Sequence, residues 1–227
     1  MRKDDCLHLR MLMVDVLVAV PLGAPKNLDF IAKDVPCVAA DGGYTVATTL
    51  GLNCVAIIGD MDSIEDTSVL RSKSLYIGRY PVEKNASDAT LALAYAHENY
   101  GNRIALVGGS GGRIDHFLGL VQCFDARLRP TVWLTDTSCL LYCLGKCSFQ
   151  APIGTQISVI THMFEPASCE TKGLYWDFDR LGHNSISLSN KTSESRVIVT
   201  CEKPYYIIFD IEQFTEVSLL EHMSLVK

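Results

Sequence analysis

The sequence predicts an α/β domain with a parallel, helix-covered sheet, followed by a smaller all-β, sandwich-like domain. Two observations support this fold class. Short apolar runs alternate with helical segments up to about residue 136, an order typical of parallel sheets. Beyond that residue, short alternating runs separated by turn residues replace the helical pattern, as in antiparallel sheets. We place the domain boundary near Gly145, which gives an α/β domain of residues 1–145 and a β domain of residues 146–227.

The elements of the first domain follow from its apolar pattern. Strands are predicted at residues 14–20, 37–40, 55–58, 75–80, 104–107 and 131–134, and helices at residues 44–50, 65–73, 89–96 and 115–127. Gly51 and Gly101 follow two of these helices, and Ser87 or Asp88 is the natural N-cap of the helix that begins at residue 89. Strands that alternate with helices of this length imply a parallel sheet.

The second domain contains only short strand-like runs. They lie at residues 140–144, 156–160, 173–176, 185–188, 196–201 and 205–209. Turn residues such as those at 152–154 and 189–190 separate them, which favours a small antiparallel sheet or sandwich.

The composition favours a globular protein that does not bind nucleic acid. The chain has 227 residues, of which 48% are hydrophobic, and a formal net charge of −6. This length and apolar content suffice for one large or two modest cores. The sequence has no stripe of Lys and Arg, which a nucleic-acid surface requires. Because no apolar run approaches the length of a membrane span, we expect no membrane association.

The cysteines and the N-terminal residues favour a cytoplasmic protein. Asp15 interrupts the apolar run at residues 11–24, so we interpret this run as the first strand and not as a secretory signal. The nine cysteines form no C-x-x-C motif, and we expect reduced, buried thiols. Cys139, Cys143 and Cys147 recur at every fourth residue, but in a strand this spacing does not bring three thiolates onto one metal ion.

Two carboxylates follow the strand predicted at residues 55–58. Asp60 and Asp62 lie one residue apart, and they repel each other unless a cation such as Mg²⁺ lies between them. The alternative is a solvated turn in which Asp60 and Ser63 only cap the next helix. Two further apolar runs end in the turn Asp41-Gly42-Gly43 and in a glycine-rich segment. Since ligands bind outside the carboxyl ends of parallel strands, we expect these three turns to converge on one crevice.

The glycine-rich segment at residues 108–113, here called the glycine loop, joins a strand to a helix. It lacks both the Gly-Lys-Ser/Thr ending of a P-loop and a full dinucleotide-binding motif. Its backbone N–H groups and the helix N-terminus can hold an anion. The candidate ligand-binding residues here are Gly109, Ser110, Gly112, Arg113 and His116. Arg113 can donate two hydrogen bonds to a phosphate. The alternative is that Asp115 is an N-cap and His116 a solvated first-turn residue.

Six short motifs follow one another along the chain. They are Asp41-Gly42-Gly43, Gly59-Asp60-Met61-Asp62-Ser63, Lys84-Asn85-Ala86-Ser87-Asp88, Gly112-Arg113-Ile114-Asp115-His116, Gly173-Leu174-Tyr175-Trp176 and Ser187-Leu188-Ser189-Asn190. Their order and spacing resemble the thiamine pyrophosphokinase (thiamine diphosphokinase) family over residues 14–209. The resemblance implies an α/β domain followed by a β-sandwich, a homodimer, and transfer of the β,γ-diphosphate of ATP to the hydroxyl of thiamine with release of AMP.

The resemblance also implies the site residues. The candidate metal ligands, which would bind Mg²⁺, are Asp41, Asp60, Asp62 and Asp88, and the candidate catalytic residues are these four acids together with Arg113 and Asp115. Arg113 would contact phosphate, and Ser187, with Asn190 nearby, would contact thiamine. The chain reads Asn85-Ala86-Ser87-Asp88 where the family usually has Asp-x-Thr-Asp. An amide oxygen can bind a cation but contributes no charge.

Two functional alternatives and one structural question remain open at this point. The chain can be a weakened relative that binds thiamine or a nucleotide without turnover, or it can transfer diphosphate to a different alcohol. Aromatic residues of the second domain can anchor a dimer interface, or they can form the inner face of the sandwich. These aromatic residues are Trp176, Tyr205, Tyr206 and Phe209.

Overall fold

The computed structural model describes residues 12–64, 75–81, 83, 85–124, 129–161, 168–179 and 186–222. The chain divides into two compact units, one of residues 13–136 and one that contains the residues from 137 onward. We name them the parallel unit and the antiparallel unit after their sheets. The division lies where the helical pattern ends, whereas Gly145, the predicted boundary, lies inside a continuous strand. The helix predicted at residues 65–73 lies outside the described residues.

The described part of the parallel unit contains six strands, all paired in parallel. They are β1 (Val16–Ala19), β2 (Pro36–Ala40), β3 (Asn53–Gly59), β4 (Tyr76–Arg79), β5 (Ile104–Val107) and β6 (Val132–Leu134). The helices are α1 (Gly43–Thr49), α2 (Asp88–Asn99) and α3 (Ile114–Cys123). Every residue of β1 and β5 is buried, because a parallel sheet covered by helices has no solvent-facing side.

The helix boundaries reflect local side-chain chemistry. Of the two predicted candidates, Ser87 is the N-cap of α2 and Asp88 is its first residue; the Ser87 hydroxyl oxygen accepts a hydrogen bond from the Thr90 N–H at 3.2 Å. Helix α1 ends two residues before Gly51, which has a φ of +64°. The predicted end of α3 at residue 127 lies outside the described residues.

The order of the parallel strands reverses beside β1. Along the sheet the order is β6-β5-β1-β2-β3-β4, so the chain proceeds from β1 to β4 in one direction and then crosses to β5 on the other side of β1. The turns that follow β1 and β5 therefore leave the sheet on either side of a crevice. Such a topological switch point is where open α/β sheets bind their ligands.

The antiparallel unit is organised around two long strands, β7 (Ser138–Gln150) and β11 (Arg196–Asp210), which pair along most of their length. The other elements are β8 (Gln156–Thr161), β9 (Cys169–Lys172), β10 (Ile186–Lys191), β12 (Ser218–His222) and the short helix α4 (Ile211–Phe214). The runs predicted at 196–201 and 205–209 form one strand, β11, with an irregularity between Cys201 and Tyr205. The strand predicted at 173–176 is wrong, because this segment is a turn with one isolated bridge from Leu174 to Thr192.

The β7–β11 pair folds back on itself. Phe209 pairs with Cys139 near one end of β7, and Phe149 lies near the other end, about 30 Å away if the strand were straight. Nevertheless the Phe149 and Phe209 rings are 5.2 Å apart. Gly145, with a φ of +74°, lies opposite the irregularity in β11 and marks the bend. One half of the pair is extended by β8 and β10 and the other by β9 and β12, so two four-stranded halves face each other.

The cysteines differ in one respect from the prediction. Cys169 and Cys201 face each other across β9 and β11 and form a disulfide, so the expectation of reduced thiols is wrong for this pair. Their approach depends on the register of two strands that are distant in sequence. The other cysteines of the described segments are free, and burial raises the pKa of the Cys143 thiol well above its ordinary value. Among the described residues, the group of side chains that could hold a metal ion consists of acids and does not include Cys139, Cys143 or Cys147.

None of the helices in the described ranges combines the length and the hydropathy needed to cross a membrane.

Candidate active site

Three carboxylates meet at the carboxyl edge of the parallel sheet. Asp41 follows β2, and Asp60 and Asp62 follow β3. One oxygen atom of each lies within 4.8 Å of the other two. We name these three residues the acidic cluster. Asp41 is only 8% exposed, Asp60 is half-buried and Asp62 is exposed, so the cluster is open to solvent on one side.

The backbone of both turns is shaped to present these acids. Asp41 has a φ of +43°, and its N–H donates to the Ile58 carbonyl at 2.9 Å, which attaches the turn after β2 to β3. Met61 has a φ of +69°, and the Asp62 N–H donates to Asp60 Oδ1 at 3.2 Å. Left-handed conformations of residues other than glycine cost about 1 kcal/mol or more and are concentrated at functional sites. The alternative in which Asp60 and Ser63 lie in a solvated turn and only cap the next helix does not explain why the turn after β3 approaches Asp41.

The acidic cluster suits a hard divalent cation. Asp41 Oδ1 is buried and has no hydrogen-bond partner in the described part of the chain. An isolated buried carboxylate oxygen is costly because it has lost its water and gained no donor. Mg²⁺ prefers carboxylate oxygens and retains several waters, which the open side of the cluster can accommodate. The donor set therefore fits the predicted metal.

Asp88 lies beside the acidic cluster, on the other side of a glycine. A Cβ atom added to Gly59 would lie 2.9 Å from Asp41 Cβ and 3.1 Å from Asp88 Oδ1, so both side chains pack against the Gly59 backbone. Asp88 is the first residue of α2, and it is not among the three acids with mutually close oxygens. The sequence analysis did not identify Gly59 as a site residue. Its position at the end of a strand, directly before Asp60, could have indicated that role.

Asn85 lies outside the N-cap of α2. It is exposed, and Ser87 caps the helix, so Asn85 itself has no capping role.

Neighbouring turns hold the glycine loop on both sides. The Gly109 N–H donates to the Leu22 carbonyl at 2.6 Å. Ser110 Oγ lies 2.9 Å from the Gly23 carbonyl oxygen and 2.7 Å from Asp136 Oδ1. The N–H of Gly109 and the hydroxyl of Ser110, both predicted to contact a ligand, are thus used within the protein. Gly112 is exposed, with a φ of +88°.

Arg113 and Asp115 pair at the start of α3. Arg113 Nε donates to Asp115 Oδ1 at 3.0 Å, and a second bond joins the guanidinium to the other carboxylate oxygen. This pairing lowers the pKa of Asp115 and raises that of Arg113, although both side chains are more than half exposed. Arg113 occupies the N-cap position, so the alternative in which Asp115 is the cap is wrong. His116 is exposed in the first turn.

In the antiparallel unit, Asn190 organises the residues around Ser187. Asn190 is 1% exposed, and its Nδ2 donates to the Trp176 carbonyl at 2.9 Å and to Ser187 Oγ at 3.1 Å. Its Oδ1 accepts from the N–H groups of Trp176 at 3.2 Å and Lys191 at 2.8 Å. Because both the oxygen and the nitrogen of its amide are hydrogen-bonded, Asn190 positions its neighbours. Since Ser187 Oγ accepts a hydrogen bond from Asn190, the Ser187 hydroxyl can still donate one to a ligand.

A carboxylate that the sequence analysis did not identify fixes the adjacent turn. Asp177 accepts hydrogen bonds from the N–H groups of Gly173 and Leu174 at 3.1 and 3.0 Å and from Thr171 Oγ1 at 2.9 Å. The turn carries Tyr175 and Trp176, whose rings are 4.8 Å apart and which are 69% and 58% exposed. Exposed aromatic rings on a turn whose backbone is fixed by hydrogen bonds are typical of recognition surfaces.

Comparisons with known proteins show which family part of the chain resembles. Residues 29–130 match the family described as thiamin pyrophosphokinase, catalytic domain. The thiamine pyrophosphokinase of Bacillus subtilis (strain 168) is 32% identical over 114 residues, which are 46% of this chain and 52% of the relative. The match thus spans about half the length of that relative.

Solved structures extend the likeness in fold. Thiamine pyrophosphokinase from Bacillus subtilis has a TM-score of 0.71 at 21% identity, covering 86% of this chain and 98% of that one. Thiamin pyrophosphokinase from Geobacillus thermodenitrificans has a TM-score of 0.69 at 20% identity, covering 92% and 100%. The resemblance to the thiamine pyrophosphokinase family is therefore confirmed, in sequence over residues 29–130 and in fold over most of the chain.

Proposed function

We propose that this protein is a magnesium-dependent thiamine pyrophosphokinase that transfers diphosphate from ATP to thiamine. The observation that carries the proposal is the acidic cluster, which lies at the carboxyl edge of the parallel sheet and within the residues that match the catalytic domain. The acids alone would repel a triphosphate. Asp41, Asp60 and Asp62 would hold Mg²⁺, with Asp88 beside them across Gly59. When bound, this cation attracts the triphosphate and neutralises charge on the transferred group.

The protein side chains contribute mainly position. In the reaction, the thiamine hydroxyl oxygen forms a bond to the β-phosphorus and its proton is released to solvent. The bond from that phosphorus to the α,β-bridging oxygen breaks, and AMP leaves. Such transfers depend on alignment and on charge stabilisation. The paired carboxylate of Asp115 holds the Arg113 guanidinium in a fixed orientation, from which it can bind a phosphate.

The antiparallel unit supplies the surface for thiamine in this proposal. Ser187 donates a hydrogen bond from its hydroxyl group to the substrate, and Asn190 holds that hydroxyl in place. The exposed rings of Tyr175 and Trp176 offer π-faces to the cationic thiazolium ring. The protein acts as a homodimer, in keeping with the exposed aromatic and apolar side chains of this unit.

An assay of AMP release tests the proposed function. With ATP, Mg²⁺ and thiamine, we expect AMP and thiamine diphosphate to form in equal amounts, and no AMP without thiamine. Tight binding of thiamine without AMP above background would instead identify a binding protein. If thiamine neither bound nor inhibited, the acceptor would be a different alcohol.

Asp60→Asn tests the acidic cluster within the same assay. Removing one metal-binding charge should lower kcat at least about 100-fold, because the charge stabilisation that phosphoryl transfer requires is lost. The melting temperature should stay the same or rise, since repulsion with Asp41 and Asp62 is relieved. Glu98→Gln, an exposed change on α2, is the matched control and should leave both quantities unchanged. Near wild-type turnover of Asp60→Asn would contradict the metal assignment.

A further inference from the structure

The disulfide between Cys169 and Cys201 closes a loop that contains the candidate thiamine surface. The two cysteines are 32 residues apart in the sequence. A cross-link reduces the number of conformations that are open to the chain it encloses. The residues between the two cysteines include all those assigned to that surface, which are Tyr175, Trp176, Ser187 and Asn190.

Strand β9, which begins at Cys169, depends on a single neighbour for its place. Among the described strands its four residues pair with β11 alone, and Cys169 lies directly opposite Cys201. Just beyond the disulfide, the Glu202 N–H donates to the Ser168 carbonyl at 3.1 Å. A four-residue strand with one partner makes few hydrogen bonds, so it opens more readily than the long β7–β11 pair. The disulfide holds the first residue of this strand in place.

Thr171, two residues after Cys169, connects β9 with the turn at residues 173–178, here called the aromatic turn. Its Oγ1 donates to Asp177 Oδ1 at 2.9 Å and accepts from the Phe178 N–H at 3.2 Å. The Thr171 N–H donates to the Phe178 carbonyl at 2.9 Å. Asp177 in turn fixes the backbone that carries the exposed aromatic rings. A displacement of β9 would therefore reach these rings through Thr171.

The remaining cysteines show that pairing is not general in this chain. Six cysteines of the described ranges are free. Where other thiols stay reduced, the disulfides that form are usually transient, with a catalytic or redox-sensing role. Cys169 and Cys201 are only 1% and 2% exposed, so a reductant reaches their bond when β9 opens. Opening of β9 and reduction of the disulfide are thus coupled.

We propose that Cys169 and Cys201 form a redox-sensitive switch that controls the order of the aromatic turn and thereby its affinity for thiamine. This proposal rests on the proposed function, which places thiamine at that turn. In the oxidised protein the disulfide holds β9 against β11, and the turn is ordered before the ligand arrives.

Reduction is a balanced exchange with a dithiol. The S–S bond breaks, each cysteine gains one electron and one proton and becomes a thiol, and the dithiol becomes a disulfide. A low-molecular-weight disulfide reverses the exchange. In the reduced protein β9 opens more often, and thiamine must order the aromatic turn as it binds, which lowers its affinity.

Calorimetry of the oxidised and the reduced wild type tests this switch without any substitution. Glutathione disulfide oxidises the protein, dithiothreitol reduces it, and mass spectrometry of its peptides reports the state of the bond. The ligands are thiamine and, with Mg²⁺, α,β-methylene-ATP, in which carbon replaces the oxygen of the bond that the reaction breaks. We expect reduction to weaken thiamine binding about tenfold, because two aromatic side chains must then be ordered on binding. Binding of α,β-methylene-ATP should change less than about twofold, since the acidic cluster lies in the parallel unit.

Hydrogen exchange measures the order of the aromatic turn in the absence of a ligand. We expect amides of residues 170–178 to exchange about tenfold faster in the reduced protein, because β9 then opens more often. The amides of β7 should exchange equally in the two states.

A double variant assigns the response to this pair of cysteines. Cys169→Ser combined with Cys201→Ser should bind thiamine like the reduced wild type, whether or not dithiothreitol is present. Cys123→Ser is the matched control and should keep the full redox response. The Cys123 thiol is free and donates to the Gly119 carbonyl at 3.5 Å, a bond that a hydroxyl can replace.

Equal thiamine affinity in the two redox states, or equal weakening of both ligands, would overturn the switch. A redox response that persisted in the double variant would also overturn it, because other cysteines would then be responsible. If the oxidised wild type neither bound thiamine nor released AMP, but exchange at residues 170–178 still depended on the disulfide, the proposed function would fail and redox control of the turn would stand. AMP release without any redox difference in affinity or exchange would retain the function and remove the switch.

Discussion

At the scale of single residues, the arrangement of the acids depends on a glycine as much as on the carboxylates. Gly59→Ala would place a methyl group 2.9 Å from Asp41 Cβ and 3.1 Å from Asp88 Oδ1, so one or both side chains must move. We expect a loss of about tenfold or more in kcat and a higher Mg²⁺ requirement, because small misplacements at a reacting centre are costly. A magnesium titration of the rate measures both.

Gly119→Ala is the control for this change. Gly119 lies on α3 with no atom near an added Cβ, so alanine there should stabilise the helix by about 0.5–1 kcal/mol and leave turnover unchanged. If Gly59→Ala kept wild-type kinetics, the tight packing of the two acids around Gly59 would not matter for activity.

Asn85 tests whether the departure from the family pattern weakens the metal site. Asn85→Asp should lower the Mg²⁺ concentration for half-maximal rate, because a doubly charged cation interacts with each acid about twice as strongly as one acid with another at equal distance. Since Ser87 and not Asn85 caps α2, the change should leave helix stability unaffected. Superimposable magnesium titrations of the two proteins would place Asn85 outside the metal site.

At the scale of elements, an ion pair connects the start of β1 with the residue before β5. Asp15 Oδ1 accepts from Arg103 Nε at 2.9 Å, and its Oδ2 accepts the Arg103 N–H at 3.0 Å. Hydrogen bonds from Arg103 lower the pKa of Asp15. Because the pKa of Asp15 is lower in the folded state, the ion pair contributes fully to the free energy of unfolding above the pKa of the unfolded state, about 4. This contribution disappears as the pH falls through the pKa of the folded state.

Asp15→Asn should therefore destabilise the protein at pH 7 and not in strong acid. We expect a loss of about 0.5–1 kcal/mol in the free energy of unfolding at pH 7, modest because Arg103 is half exposed. The difference from wild type should shrink below about pH 4. Urea unfolding at a series of pH values measures this. A difference that does not depend on pH would mean that the carboxylate charge is not responsible.

Sequence periodicity correctly predicted those helices and strands whose formation depends on residues close to one another in the sequence. The buried strands β1, β3 and β5 and the cap at Ser87 follow from local composition, and so does the placement of Asp41, Asp60 and Asp62 after their strands. Interactions between distant residues explain the errors. The disulfide depends on the register of β9 and β11, and the turn at residues 173–176 depends on hydrogen bonds to Asp177 and Asn190.

At the scale of the whole molecule, burial separates the aromatic residues that can form an interface from those that cannot. Tyr205 and Phe209 are at most 1% exposed, so for these two the interpretation as the inner face of the sheet is confirmed. Trp176 is 58% exposed, and Leu188 on β10 is 62% exposed. Large apolar side chains that are exposed in the same unit often mark an interaction surface, and the cores of protein interfaces are enriched in aromatic residues.

We expect the protein to sediment as a dimer at micromolar concentration and Leu188→Glu to shift it towards monomer. A buried, unpaired carboxylate at an interface costs several kcal/mol, whereas on an exposed strand it costs little. Leu220→Glu, on β12, is the control for adding a charge to a strand of the same unit. The melting temperature, measured at a concentration at which the variant is monomeric, shows whether the fold remains intact. A wild type that stayed monomeric across this range would contradict the dimer, whatever the variant did.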